Sequence, residues 1–152
     1  QGRTDYVAGL EQRIAKAGLK DRVRIVGHCS DMPAADFAAD VVTVPSIEPE
    51  AFGRSAAEAQ AVGRPVVVSN LGAVPETVLA PPDAEELART GWRVPAGDPK
   101  ALADAIQVAL ALSETERSAL AERARRHVRE TFSLEAMTSA TLQVYARLLE
   151  GT

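Results

Sequence analysis

The sequence predicts an α/β fold built on a Rossmann-like, doubly wound parallel sheet. Short runs rich in β-branched residues alternate with helical patterns, which is typical of βαβ units. These runs are continuously apolar, which indicates strands buried on both faces. Aromatic residues make up 4% of the chain, so the core must pack small and branched aliphatic side chains between helices and sheet. The 152 residues fit one domain spanning 1–152.

The first half of the chain alternates helices with strands. Thr4 is placed to cap a first helix over about 4–17, and Gly18 stands where that helix would end. The predicted strands cover residues 23–27, 40–46, 65–70 and 91–95. The helical patterns between them cover residues 34–39, 52–62 and 75–79. A doubly wound domain normally begins with a strand, so we expect the first strand of the sheet to be missing from this chain.

Beyond residue 95 the pattern is helical only. Asp98 followed by Pro99 predicts a helix start, and Ser113 with Glu116 forms a capping box for a helix reaching about residue 130. Ser133 is the predicted cap of the last helix. The residues expected to form the buried face of that helix are Leu134, Met137, Thr141, Val144 and Leu148. The predicted fold class is therefore α/β with a helical C-terminus.

Composition and charge exclude several classes of function. Seventeen Lys and Arg against twenty-one Asp and Glu give a net charge of −4, which argues against a nucleic-acid-binding surface. One cysteine, Cys29, and two histidines provide neither an internal disulfide nor a Cys/His zinc site. No apolar run reaches the roughly 18 residues that cross a bilayer, and the first residues lack the pattern of a signal peptide. These features predict a cytoplasmic protein.

The densest candidate site lies in residues 45–70, between two predicted strands. In open parallel sheets, ligands bind beyond the carboxyl ends of the strands. Gly53, near a predicted helix start, allows a close approach to the backbone, and free N–H groups there favour a phosphate, such as that of a nucleoside diphosphate. Glu50 and Glu58 are separated by seven residues, a spacing that carries no information by itself. One can face a sugar and the other a ribose, or both can be ordinary surface acids.

The surrounding residues form a recognisable frame. Its fixed points are Pro45-Ser46, Glu50, Phe52-Gly53, Glu58-Ala59, Gly63 and Pro65-Val66. This stretch resembles the C-terminal, donor-binding domain of the family 4 glycosyltransferases, which are retaining enzymes with the GT-B fold. The similarity continues through DRVRIVGHCSDMP before the frame and through GAVPETV and TGWRVPAGDPKALADAI after it. It covers nearly the whole chain.

The resemblance implies a role for each matched position. Glu50 would be the catalytic-site carboxylate that contacts the hydroxyls of the donor sugar, and Glu58 would hold the ribose. The residues that would receive the sugar and diphosphate, mainly through backbone N–H groups, are Ala51, Phe52, Gly53 and Arg54. The residues that would line the base pocket are Gly27, Cys29 and Asp31. His28, in the same turn, is given no chemistry.

The resemblance also implies a mechanism and partners. The donor would be a nucleotide-sugar, and no metal or other cofactor is expected, because cations and helix N-termini would stabilise the departing diphosphate. An oxygen of that diphosphate would act as the base toward the acceptor hydroxyl. The motif wording is most similar to bacterial enzymes that build lipopolysaccharide or other surface glycans. A glycan or lipid-linked acceptor would bind an N-terminal domain absent from this chain, so the isolated chain is expected to be inactive, and the parent could associate with the inner face of the membrane.

Two alternatives remain open at the level of sequence. The chain could be a non-catalytic nucleotide-binding or regulatory module, or it could belong to a nucleotide-sugar epimerase with the GT-B fold. Two departures from the family pattern bear on the choice. An Arg and a Lys that clamp the diphosphate normally follow the first strand, which is not seen here, and residues 79–90 are longer than the usual short turn.

Some further residues each allow two interpretations. Glu76 is either a turn cap or a ligand contact, and Trp92 is either a packing residue or a stacking platform. A cluster of arginines is interleaved with acids and forms either a solvated helix face or a contact for acidic lipid. It consists of Arg123, Arg125, Arg126 and Arg129.

Overall fold

A computed structural model describes residues 2–150, which form two compact units that divide between Asp31 and Met32. The first unit contains helix α1 (Gly2–Lys16). Thr4, predicted as the cap, lies inside this helix. The predicted end is confirmed, because Gly18 adopts a left-handed φ of 68° and its N–H donates to the carbonyl of Ala15 at 3.1 Å.

The predicted strand at 23–27 is wrong. These residues adopt no regular secondary structure, and Val23, Ile25 and Val26 are 42%, 42% and 82% exposed. A β-branched run becomes a strand only when a neighbouring strand satisfies its backbone N–H and C=O groups. Within the first unit, the described residues offer no such partner.

The second unit contains a parallel sheet of three strands. They are β1 (Val42–Val44), β2 (Val66–Ser69) and β3 (Trp92–Val94), in the order β1-β2-β3. Val42 pairs with Val66, and Val67 pairs with Trp92. These strands confirm the predictions for 40–46, 65–70 and 91–95, with shorter bounds. The first-half helices of this unit are α2 (Met32–Ala38), α3 (Arg54–Ala61) and α4 (Val74–Thr77).

Helices cover both faces of the sheet, as the continuous apolar strands predict. All four residues of β2 are buried. Val66 and Val68 pack against Ala56 and Ala59 of α3 on one face, while Val67 packs on the other face with Ala109 of the following helix. The Rossmann-like, doubly wound architecture is thereby confirmed.

The helical C-terminus contains α5 (Pro99–Leu110), α6 (Glu114–Phe132) and α7 (Leu134–Glu150). Its predicted caps are confirmed. Asp98 Oδ1 accepts hydrogen bonds from the N–H groups of Lys100 and Ala101 at 3.0 and 2.9 Å. Ser113 and Glu116 form the reciprocal capping box. Ser133 Oγ accepts from the Ala136 N–H at 3.1 Å.

The predicted buried face of the last helix is wrong. Helix α7 forms as expected, but Leu134, Met137, Val144 and Leu148 are 54–69% exposed and Thr141 is exposed too. Helical spacing of apolar residues shows which face would be buried, but burial itself requires a packing partner. Within residues 2–150, no helix is long and apolar enough to cross a membrane.

Residues 79–90 form a closed surface loop. The N–H of Thr90 donates to the carbonyl of Leu79 at 2.9 Å, and the N–H of Leu79 donates to Thr90 Oγ1 at 3.0 Å. A short 3-10 helix, Glu86–Ala88, lies within the loop. Arg93 of β3 pairs with Asp83 at 2.6 Å. These contacts attach the predicted insertion to the edge of the sheet.

Candidate functional site

Glu50 lies in the loop that connects the carboxyl end of β1 to α3. Its carboxylate accepts a hydrogen bond from Ser46 Oγ, and its backbone carbonyl accepts from the Ala73 N–H at 3.0 Å. Gly72 is essential to this second contact, because a Cβ built on it would lie 2.8 Å from the Glu50 nitrogen. The loop after β2 therefore packs directly on the Glu50 backbone and fixes its position.

The start of α3 is shaped by Gly53, which adopts a left-handed φ of 78° as the residue before the helix. A Cβ built on Gly53 would lie 4.0 Å from Glu50 Oε2, so the Glu50 carboxylate lies beside the helix start. Among the described residues, the N–H groups of Phe52, Gly53 and Arg54 donate to no backbone carbonyl. Such N–H groups at a helix N-terminus are suited to an anion.

Glu58 lies one turn into α3 and forms an ion pair with Arg54. The Arg54 Nε to Glu58 Oε1 distance is 2.6 Å, and 84% of the Arg54 side chain and 35% of the Glu58 side chain are exposed. This spacing is the usual i, i+4 contact on a helix. It leaves the second oxygen of Glu58 and most guanidinium donors of Arg54 for a ligand.

A second carboxyl group lies near Glu58. Asp36 of α2 is only 5% exposed, and its Oδ2 has no hydrogen-bond partner among the described residues. Burial raises the pKa of the Asp36 carboxyl, and the charge of Glu58 raises it further. The sequence analysis missed this group, because nothing in the pattern of residues 34–39 distinguishes a buried Asp from a surface one.

Helix α4 contacts α3 and the residues just before its start. The buried Thr77 donates from Oγ1 to the Phe52 carbonyl at 2.5 Å. The buried Gln60 donates from Nε2 to the Thr77 carbonyl at 2.9 Å, which ties α3 to α4. These residues were also missed, although the polar type of Gln60 on the apolar face of a predicted helix is a usable signal.

Aromatic contacts hold the side chain of Phe52. Its ring centroid lies 5.1 Å from that of Phe132, which in turn lies 5.4 Å from the His127 ring, both at edge-to-face angles. His127 Nε2 lies 3.2 Å from the Glu76 carbonyl oxygen. Since a carbonyl only accepts, this nitrogen is the donor. Helix α6 therefore packs against Phe52, the residue that precedes Gly53.

A concave surface lies at the same edge of the sheet as Glu50. It has a volume of about 250 Å³ and includes Pro45 after β1, Ser69 at the end of β2 and Val94 at the end of β3, with Leu102 of α5 as a further wall. The carboxyl ends of the three strands therefore converge on an open cavity, where the sequence predicts ligand binding.

The structure brings together six of the predicted site residues in the second unit. Three others lie in the first unit, which is described by itself. Glu50, Phe52, Gly53, Arg54 and Glu58 lie within one loop and helix turn, with the exposed Ala51 among them. In the first unit, Gly27 has a left-handed φ of 74°. The thiol of the half-buried Cys29 donates to the carbonyl of Asp31 at 3.3 Å. His28 is exposed.

The remaining candidates have mainly structural contacts. The side chain of Glu76 is exposed and makes no side-chain cap at α4. Trp92 packs in the core beside Val67, with the Arg89 guanidinium 5.2 Å above its ring. In the arginine cluster, Arg123 Nε donates to the Arg89 carbonyl at 3.0 Å. Over residues 2–150, no three His, Cys, Asp or Glu side chains are placed to hold a metal ion.

A family model and curated relatives indicate the same family for this chain. Residues 2–127 match the family model described as glycosyl transferases group 1. The chain is 39% identical over 100 residues to the lipopolysaccharide core biosynthesis mannosyltransferase LpsB of Rhizobium meliloti, covering 66% of this chain and 27% of LpsB. It is 38% identical over 148 residues to a D-inositol 3-phosphate glycosyltransferase of Xylanimonas cellulosilytica, covering 96% of this chain and 33% of that protein.

A solved structure extends the comparison to the fold. Alr3699/HepE from Anabaena, determined in complex with UDP, superimposes with a TM-score of 0.82 at 28% sequence identity, over 96% of this chain and 38% of that one. The same protein has also been determined with UDP-glucose.

The fold and the loop before α3 thus define an α/β domain of the glycosyltransferase class. The chain belongs to the group 1 glycosyl transferase family. It spans about a third or less of the length of these two curated relatives.

Proposed function

We propose that this chain is the donor-binding domain of a retaining glycosyltransferase that moves a hexose from a nucleotide-sugar to an acceptor hydroxyl. The observation that carries the proposal is the arrangement at the start of α3. The Glu50 carboxylate, the N–H groups of Phe52 to Arg54 and the Glu58 carboxylate follow one another along a single loop and helix turn, and these N–H groups donate to no carbonyl within residues 2–150. Carboxylates suit vicinal hydroxyls, and the N–H groups between them suit a diphosphate.

Each residue has a part in the proposed chemistry. Glu50 binds hydroxyls of the donor sugar, held by Ser46 and by the loop containing Gly72. The N–H groups and Arg54 stabilise negative charge on the departing diphosphate, whose oxygen takes the proton of the acceptor hydroxyl. Glu58 binds the ribose. In the first unit, taken by itself, we propose Gly27, Cys29 and Asp31 as base-binding residues.

The relatives support the choice of substrate class. Two structures of Alr3699/HepE contain UDP or UDP-glucose, and LpsB is a mannosyltransferase of lipopolysaccharide core synthesis. We place the parent of this chain in lipopolysaccharide or other surface-glycan synthesis, at the cytoplasmic side of the membrane. Its acceptor would bind a second domain, so the 152-residue chain alone should bind nucleotide and transfer nothing.

The test separates the two glutamates. We expect Glu58→Ala to weaken both UDP and UDP-glucose by about 1–3 kcal/mol, because both ligands carry the ribose. Glu50→Ala should weaken UDP-glucose and leave UDP unchanged, because only the nucleotide-sugar carries the hexose. Calorimetric titration of both ligands measures these differences.

Glu48→Ala is the matched control, since Glu48 is an exposed acid of the same loop. Equal losses for both ligands in both variants would refute the assignment of roles. Failure of the unmodified chain to bind any member of a panel of nucleoside diphosphates would favour a different function for the domain.

We further propose that the site works without a metal ion. Helix N–H groups and Arg54 supply positive charge where a bound cation would otherwise be needed. EDTA should leave nucleoside diphosphate affinity of this chain unchanged. A loss of affinity in EDTA that magnesium or manganese restores would contradict this part of the proposal.

A further inference from the structure

Several positively charged side chains lie at the amino ends of the strands, whereas Glu50 lies at their carboxyl ends. Residues 62–64 directly precede β2, so they lie at the amino ends of the parallel strands. A cavity of about 200 Å³ opens there between this turn and α6. We call it the arginine pocket, and its charged lining residues are Arg64, Arg117, Arg125 and Glu114.

Backbone carbonyls hold the three guanidinium groups in place. The hydrogen bonds run from Arg64 Nη2 to Phe37 O at 2.5 Å, from Arg117 Nη1 to Asp40 O at 3.0 Å and from Arg125 Nη2 to Val62 O at 2.9 Å. Each guanidinium carries five N–H donors. These bonds therefore fix the orientation of the groups and leave other donors for a ligand.

The three arginines of the pocket lack ion-pair partners in the described part of the chain. Among residues 2–150, none of the three arginines forms an ion pair, although Glu114 lines the same cavity. Within the same range, Arg64 Nε is buried without a hydrogen-bond partner. Three like charges around one small cavity repel one another, and a bound anion would offset this repulsion.

The turn beneath Arg125 is shaped to receive its guanidinium. Gly63 has a left-handed φ of 77°, and a Cβ built on it would lie 2.5 Å from Arg125 Cζ. The guanidinium therefore lies directly on the glycine backbone. A planar guanidinium held in this way offers paired N–H groups, the geometry that binds phosphate oxygens two at a time.

We propose that the arginine pocket binds a phosphate group, carried either by an anionic lipid headgroup or by a soluble phosphate compound. The site is separate from the proposed donor site, because the two lie at opposite ends of α3 and of the strands. The proposal does not depend on the proposed function. Its ligand chemistry follows from three fixed guanidinium groups and a cavity sized for a small polar group.

The first arm of the test uses inorganic pyrophosphate. Titration into the isotope-labelled chain, followed by amide NMR, should shift the signals of residues 62–64, Arg117 and Arg125. The Arg117→Gln/Arg125→Gln variant should weaken binding at these signals at least tenfold. The matched control is Arg126→Gln/Arg129→Gln, which removes the same charge from exposed positions of the same helix outside this pocket, and it should bind like the unmodified chain.

The second arm identifies the source of the phosphate. The chain is sedimented with phosphatidylglycerol vesicles and, as a control, with phosphatidylcholine vesicles. Binding to phosphatidylglycerol vesicles alone, lost in Arg117→Gln/Arg125→Gln, assigns the site to lipid headgroups. Pyrophosphate binding without vesicle binding assigns it to soluble phosphates. Should the glutamine variant not fold, Arg117→Lys/Arg125→Lys keeps the charge, and losing the paired donors should still weaken binding. Equal weakening by both glutamine variants, or no shift at residues 62–64, would overturn the proposal.

Discussion

The two ends of α3 have similar backbone geometry and opposite chemistry. Gly53 precedes the helix with φ of 78°, and Gly63 follows it with φ of 77°. Around Gly53 a Cβ would meet its nearest atoms at 3.7 Å, whereas around Gly63 it would run into the Arg125 guanidinium. A left-handed glycine can therefore leave the backbone accessible at one end of a helix and allow a close side-chain contact at the other.

The charged residues near the two ends of α3 also differ. The carboxylates of Glu50, Glu58 and Asp36 lie before, within and beside α3, whose first residue, Arg54, pairs with Glu58. Arg64 and Arg125 lie just beyond its last residue, Ala61. Apart from Arg54 at the first position of α3, this order matches the helix dipole, which favours negative charge near the N-terminus and positive charge near the C-terminus.

The largest expected effect is that of Gly63→Ala. A left-handed alanine costs about 1–2 kcal/mol, and displacing Arg125 from the Val62 carbonyl costs about 1 kcal/mol more. Gly53→Ala should lower the free energy of unfolding by the conformational cost alone, about 1–2 kcal/mol, because its surroundings have room. Urea denaturation of both variants measures the difference.

A double-mutant cycle separates the two causes at Gly63. In an Arg125→Ala background the contact with the guanidinium no longer exists, so Gly63→Ala should cost no more than Gly53→Ala. An undiminished cost in that background would mean that the two glycines do not differ in the way the structure indicates.

Thr77→Val tests the first end of α3 alone. It removes the hydrogen bond to the Phe52 carbonyl with little change in volume and should cost about 1–1.5 kcal/mol of stability. If Phe52 and Gly53 receive the diphosphate, the affinity for UDP should fall as well, while pyrophosphate binding at the arginine pocket should not change. Thr43→Val, an exposed position of β1, is the control and should stay within about 0.5 kcal/mol.

Local chemistry explains which elements the sequence could predict. The caps at Asp98, Ser113 and Ser133 were predicted correctly because each depends on residues within one helix turn. Strand 23–27 and the buried face of α7 were predicted wrongly because both depend on partners elsewhere in the chain. An apolar pattern contains no information about whether such a partner is present.

The candidate site shows the same division. Glu50, Gly53 and Glu58 were found from a motif that is continuous in sequence. The contacts that fix them come from distant segments: Gly72 packs on Glu50, and Thr77 bonds to the carbonyl before Gly53. Long-range contacts of this kind follow from the fold and not from any local residue pattern, so only the structure shows them.

The smallest predicted effect concerns Asp36 and the acidic end of α3. Because burial and Glu58 raise the pKa of Asp36 in the folded chain above its unfolded value, the folded state binds this proton more tightly. This contribution to stability is present in full at pH values below the unfolded pKa. It is lost as the pH rises through the folded pKa, so at neutral pH the ionised, buried carboxylate destabilises the fold.

Asp36→Asn should therefore raise the free energy of unfolding at pH 7 by about 1 kcal/mol, since it removes a buried charge whose Oδ2 has no partner among the described residues. The gain should shrink as the pH is lowered toward the unfolded pKa of the carboxyl, where Asp36 is itself neutral. Denaturation curves at a series of pH values measure this trend. Asp40→Asn changes the net charge equally at an exposed position and should show no such trend. If Asp36→Asn were less stable than the unmodified chain at pH 7, the Asp36 carboxylate would have to be a favourable partner at the acidic end of α3. The contrast with the arginine end would then rest on the guanidinium groups alone.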